Sequence, residues 1–184
     1  MKLIPQSIPE ILIIQSQLHG DDRGYFAETF RQDILEEYTG KNFNFVQDNE
    51  SKSSKGILRG LHYQLNPYSQ SKLVRVIEGK ILDVCLDIRK SSKTFAKHVS
   101  VELSSDNKKQ LFVPHGFAHG FIVLSDTATV VYKVDNYYSP KYERGIAFDD
   151  KELSIDWVLP KDIIKLSDKD KSLPLLANAE ELFE

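Results

Sequence analysis

Within Gly56-Ile57-Leu58-Arg59-Gly60-Leu61-His62-Tyr63-Gln64, an arginine and a histidine stand three residues apart in an apolar, β-forming run. Each would be costly to bury without a partner. Side chains on a strand alternate faces, so Arg59 and His62 point opposite ways unless Gly60 introduces a bulge that re-aims one of them. We read Gly60 as that bulge. Ten residues further on, Ser71-Lys72-Leu73-Val74-Arg75-Val76 returns as a second strand with another cation. A histidine taken alone reads as a core residue hydrogen-bonded to backbone. Gathered cations argue otherwise, because like charges oppose protonation of the ring. A neutral imidazole beside cations is suited to accept a proton, and the expectation is a β-lined pocket that holds something anionic next to it.

Other polar groups fall where core packing does not need them. Arg23 and Glu28 flank an aromatic segment, and Gln47, Asp48 and Asn49 are consecutive on another. Singly, each reads as a solvated surface residue; collectively they fit the mouth of a small barrel, whose alternate residues share one interior face. In Val113-Pro114-His115-Gly116-Phe117-Ala118-His119-Gly120-Phe121, two histidines four apart would suit a metal on a helix, but Pro114, Gly116 and Gly120 argue for a loop entering a strand. No metal site is expected there. Tyr132 ends an apolar strand, where its phenol could face the pocket as a proton donor. Tyr138 stands just beyond, placed to stack on a flat base. Leu166-Ser167-Asp168-Lys169-Asp170 reads by itself as a solvated charge run.

The elements that must position these groups are mostly strands. Ile11-Ile14, Arg23-Phe30, Phe43-Glu50, the Arg59/His62 and Lys72 segments, Ile81-Ile88, Ala96-Leu103, Gln110-Val113, His119-Leu124 and Ala128-Val134 all carry β-type patterns. One short helix is predicted over Arg31-Tyr38, ending near Gly40. Ten or so short strands with close turn signals imply an antiparallel sandwich or barrel, and the chain loosens into loops after Ser139. With 184 residues and no linker or repeat, a single domain over 1–184 is expected, long enough to bury roughly 70% of its unfolded surface.

Composition narrows the partners. A net charge of −3 gives no general reason to bind nucleic acid or an anionic membrane, so an anionic ligand must be met by a local cluster. No apolar run approaches the ~18 residues of a membrane span, and no signal peptide is visible. The one cysteine, Cys85, allows no intrachain disulfide and makes a reducing cytoplasm the simplest compartment. We take it as a buried apolar residue rather than a nucleophile.

Arg23-to-Glu28, Gln47-Asp48-Asn49, Leu58-to-Gln64, Lys72-to-Arg75, Pro114-to-Phe121, Tyr132-Lys133 with Asn136-Tyr137-Tyr138, and Leu166-to-Asp170 together resemble the dTDP-4-dehydrorhamnose 3,5-epimerase family in order and spacing. The resemblance implies an all-β cupin fold, a double-stranded β-helix or antiparallel jelly roll with a few short peripheral helices, working as a homodimer without metal or organic cofactor. Its substrate would be dTDP-4-dehydro-6-deoxy-D-glucose. By similarity, His62 would be the base, Asp170 its orienting partner and Tyr132 the acid on the opposite face of the sugar. Arg59 and Lys72 would line the sugar and its developing oxyanion, and His119 would also touch substrate. Arg23, Phe26, Glu28, Gln47, Asp48, Asn49, Glu143 and Lys169 would bind nucleotide and sugar, with Tyr138 stacked on thymine. Rival readings are a single-carbon epimerase or ketoisomerase on a related dTDP-deoxysugar, and a non-catalytic or metal cupin.

Overall fold

The computed structural model describes residues 1–184. Thirteen strands follow in the order β1 (Lys2–Pro5), β2 (Leu12–Gln15), β3 (Leu18–Asp21), β4 (Gly24–Ala27), β5 (Gln47–Ser54), β6 (Leu58–Gln64), β7 (Lys72–Glu78), β8 (Lys80–Asp87), β9 (His98–Ser104), β10 (Lys109–Val113), β11 (Phe117–Val123), β12 (Thr127–Val134) and β13 (Glu143–Gly145). Helix α1 (Gln32–Thr39) lies between β4 and β5, and the short α2 (Asp168–Lys171) follows β13. Two antiparallel sheets form the body, ordered β1-β2-β10-β7-β12-β5 and β13-β6-β11-β8-β9, while β3 and β4 make a separate hairpin. This is the expected antiparallel jelly roll.

Alternation decides where the core sits. Val74, Val76, Leu111, Val113, Ala128 and Val130 of the first sheet meet Ile81, Cys85, Val99, Val101, Phe117, Phe121 and Val123 of the second, forming the largest buried cluster. The opposite face of the second sheet carries Leu58, Leu61, Leu82, Val84 and Ile122, covered by the loops after β13 through Ile146, Leu153, Trp157 and Leu176. On the opposite face of the first sheet, Leu12, Ile14, Leu73 and Phe112 are covered by Leu35 of α1 and by Phe43.

Three predicted elements are displaced. The strand predicted over Phe43-Glu50 begins its ladder only at Gln47 and runs to Ser54. Phe43 and Phe45 instead join Phe30 and Phe112 in an aromatic group beneath α1, because their rings bury more apolar area there than on an edge strand. The strand predicted over Arg23-Phe30 stops at Ala27. It pairs with β3, a strand exposed along its whole length. Helix α1 runs one residue later than predicted and ends where Gly40, at φ 66°, donates its N–H to the Glu36 carbonyl.

Candidate active site

The bulge foreseen at Gly60 is present. His119 pairs with His62 and Phe121 with Arg59, so Gly60 and Leu61 of β6 together oppose Gly120 of β11. Gly60 adopts φ +130°, and a Cβ on it would lie 2.5 Å from the Cα of Gly120. Two glycines therefore touch where the strands cross, and the side-chain parity of β6 switches. Leu58 and Leu61 both join the outer apolar cluster, while Arg59 and His62 both line one cavity between the sheets.

That cavity holds about 520 Å3 and is also lined by Lys72, His119, Tyr132 and Asp170. A recess of about 300 Å3 shares His62, Lys72 and Tyr132 with it and adds Gln47, Asn49, Tyr138 and Glu143. His62 belongs to one sheet and Tyr132 to the other, so imidazole and phenol approach the space from opposite walls.

Nε2 of His62 lies 2.6 Å from Oδ1 of Asp170, which is almost wholly buried. A carboxylate only accepts, so the proton sits on Nε2 and Nδ1 keeps its lone pair. Asp170 is fixed in turn by α2, where Ser167 Oγ accepts from the Asp170 backbone N–H at 3.1 Å. Burial pushes the Asp170 carboxyl up, but the His62 hydrogen bond and neighbouring positive charge hold it below the usual carboxylate range. Across the cavity, burial raises the Tyr132 phenol despite the nearby Arg59. It is protonated at neutral pH, as a donor must be.

Lys72 is half-buried, and its Nζ has only the His62 carbonyl, at 3.5 Å. Burial draws its ammonium down to about 8. Beside it, His119 Nε2 bonds Asp83 Oδ1 at 2.8 Å, with both side chains enclosed. Burial keeps His119 below its ordinary value. Arg59 is steadied by Nε and Nη2 bonds of 3.2 and 3.0 Å to Ser53 Oγ. At the recess, Glu143 accepts from the Tyr138 hydroxyl and from Lys169 Nζ, each at 2.8 Å. Burial opposes ionisation of Glu143, but these bonds outweigh it and its carboxyl is lowered.

The consecutive trio divides. Gln47 and Asn49 share a 2.8 Å hydrogen bond and line the recess. Asp48 points to the other face of the sheet and bonds Lys133 Nζ at 2.9 Å, because neighbours on a strand cannot share a face. Arg23 and Phe26 lie on the exposed β3–β4 hairpin, Phe26 69% exposed and Arg23 paired with Asp21. Glu28 follows it and lies 3.8 Å from Arg31. None of these three lines the His62 cavity of its own chain.

Sequence reasoning missed Asp83, Ser53 and Ser167. For Asp83 a signal existed: Ile81, Asp83, Cys85 and Asp87 occupy one face of an otherwise apolar strand, so its carboxylate had to point into the core. Ser53 and Ser167 act through hydroxyls whose partners are distant in sequence or set by a cap, and neither announces itself. No group of three or more His, Cys, Asp or Glu side chains converges as a metal site would require. His115, in the loop before β11, bonds Asp135 instead.

The family model described as dTDP-4-dehydrorhamnose 3,5-epimerase matches residues 5–178. A relative of that name from Shigella flexneri is 55% identical over 170 residues, 92% of this chain and 93% of the relative. The crystal structure of dTDP-4-dehydrorhamnose 3,5-epimerase from Elizabethkingia anophelis superposes with a TM-score of 0.95 at 46% identity, covering 98% of this chain and 99% of that one. The dTDP-6-deoxy-D-glucose-3,5-epimerase of Legionella pneumophila, solved with dTDP-4-keto-L-rhamnose, gives 0.93 at 46% identity, covering 97% and 94%. With an imidazole and a phenol facing each other in a cavity of this fold and a family model matching nearly its whole length, the chain belongs to the dTDP-4-dehydrorhamnose 3,5-epimerase family.

Proposed function

We propose that the cavity binds dTDP-4-dehydro-6-deoxy-D-glucose and epimerises it at C3 and C5 to dTDP-4-dehydro-L-rhamnose. The observation that carries this reading is His62 and Tyr132 entering one cavity from opposite sheets, with Lys72 and Arg59 on its wall. The C4 ketone acidifies the hydrogens on both neighbouring carbons. His62 Nδ1 takes one, the electron pair moves onto the C4 oxygen, and the ammonium of Lys72 and the guanidinium of Arg59 stabilise that enolate. Tyr132 then returns a proton to the opposite face, and the ketone re-forms with the carbon inverted. Asp170 stabilises the imidazolium formed on the way. Exchange with solvent returns His62 to the free base and Tyr132 to the phenol, and the same sequence at the second carbon completes the reaction.

The recess suits the nucleotide. Tyr138 offers its ring to the base, while Gln47, Asn49, Glu143 and Lys169 supply donors and acceptors around it. His119 would meet the sugar from the cavity floor. We read Arg23, Phe26 and Glu28 as serving a second copy of the chain. Exposure of Tyr25 (58%) and Phe26 (69%) on one hairpin supports a homodimer, in which those rings are covered. Asp48, on the outer face near that hairpin's return, has no place in the single-chain cavity, and its role in binding belongs to the same reading. Residues 1–184 act as one epimerase domain, since the site draws on segments from β5 to α2. No helix is long and apolar enough to cross a membrane. The single buried thiol Cys85 supports a cytoplasmic setting.

Incubation with dTDP-4-dehydro-6-deoxy-D-glucose in D2O, read by NMR, tests the reading. Deuterium at both C3 and C5 is expected; label at one carbon only would make this a single-site epimerase, and label at neither would remove the activity.

A further inference from the structure

Resting on the epimerase reading above, we infer that Asp83 is a positioning residue whose carboxylate keeps Lys72 an ammonium in the cavity while locking the tautomer of His119. Asp83 sits in the stripe of β8 that faces between the sheets, flanked by Ile81 and Cys85, and is fully enclosed. An unneeded carboxylate there would be replaced at a gain by an apolar residue. Asp87, four residues along the same stripe, shows what a structural aspartate looks like. It is bonded by Arg89, Ser92 and Thr94. Asp83 has His119 on Oδ1, while its Oδ2 is buried with no hydrogen-bond partner. Such an orphaned buried oxygen calls for an electrostatic reason.

Lys72 supplies it by elimination. The groups facing this lysine are Asp83 and Cys85 from β8, His119 from β11, Glu143 from β13, His62 from β6 and Tyr132 from β12. The remaining charges on the cavity wall are Arg59, Lys165, Lys169 and Asp170. Cys85 is a thiol that burial pushes well above its usual value, so it carries no charge where Lys72 titrates. Glu143 is engaged by Lys169 and Tyr138, and Asp170 by His62. Tyr132 is neutral and His119 is held neutral by burial. Among these anions only Asp83 has a buried oxygen without a hydrogen-bond partner. Burial draws Lys72 down to about 8 even with this carboxylate present, and without it the amine would lose its proton near neutral pH. A neutral amine cannot stabilise an enolate by charge.

Asp83→Asn keeps an oxygen for the His119 N–H and removes only the charge. The alkaline limb of kcat/KM is expected to move down by about one pH unit, and Asp83→Glu is expected to restore part of it. The Lys72 ε-carbon, followed by NMR in substrate-free protein, should titrate lower by the same shift in Asp83→Asn. Because this titration needs no substrate, it stands even if the assigned sugar is wrong. A folded Asp83→Asn with Lys72 titrating at the wild-type pH overturns the inference. Should that variant not fold, the wild-type Asp83 carboxyl carbon serves: its shift must inflect where Lys72 loses its proton, and no inflection overturns the inference.

Discussion

His62 and Tyr132 share a cavity but call for different tests, because in the proposed reaction one removes a proton and the other returns it. His62→Ala is expected to lower kcat by roughly 10²- to 10⁴-fold, the usual worth of a positioned base, and to lower the thermal midpoint as well, since it strips the buried Asp170 carboxylate of its partner. Steady-state turnover alongside a melting curve checks both. Tyr132→Phe keeps the ring against the core and deletes the hydroxyl. Solvent deuterium exchange into substrate should then survive better than inversion, and equal loss of both would remove the separate acid. The clustering of Arg59, His62 and Lys72 was legible in the sequence because a glycine between two such groups has few reasons to sit in a strand. Asp83 was not read as functional, because the strand pattern turns its carboxylate inward without naming its partner, His119, 36 residues away on β11.

Among the elements, the crossing of β6 and β11 carries the site. A Cβ on Gly120 would meet the Arg59 carbonyl at 2.7 Å and the Gly60 Cα at 3.0 Å, and both are backbone that cannot swing aside. Gly120→Ala is expected to cost about 1–3 kcal/mol of stability and to lower kcat in whatever protein folds, since Arg59 and His62 lose their common direction. Urea unfolding and kinetics on the same preparation measure the two effects. Helix α2 gives a gentler case. Ser167→Ala removes the cap over Asp170, and about 1 kcal/mol of local stability goes with it; kcat should fall while the unfolding midpoint scarcely moves. Strand positions with clear alternation were readable from the sequence. β5 was misplaced because its inner residues Asn49 and Ser51 border the cavities and Ser53 bonds Arg59, so the apolar half of the pattern is missing. The β3–β4 hairpin was only half seen, since both its faces are exposed and neither bears a core stripe.

For the molecule as a whole, acid is the destabilising direction. Burial pushes the Asp87 carboxyl up, but hydrogen bonds from Arg89, Thr94 and Ser92 outweigh it and hold it at about 2, against 3.8 ordinarily. Its folded value is thus below its unfolded one, so the stability it contributes is complete above 3.8 and is lost as pH falls toward 2. Glu143 and Asp170 are lowered too and add in the same sense. The urea midpoint should therefore drop across this range, and Asp87→Asn should flatten the slope while lowering the plateau near neutrality. The pairing of His62 with Asp170 joins side chains 108 residues apart. During translation the imidazole, the lysine and the phenol all leave the ribosome before the carboxylate that orients the first of them. On the proposed mechanism, a nascent chain can close both sheets and still be unable to hold that ring for proton abstraction, so turnover begins only after α2 has been made.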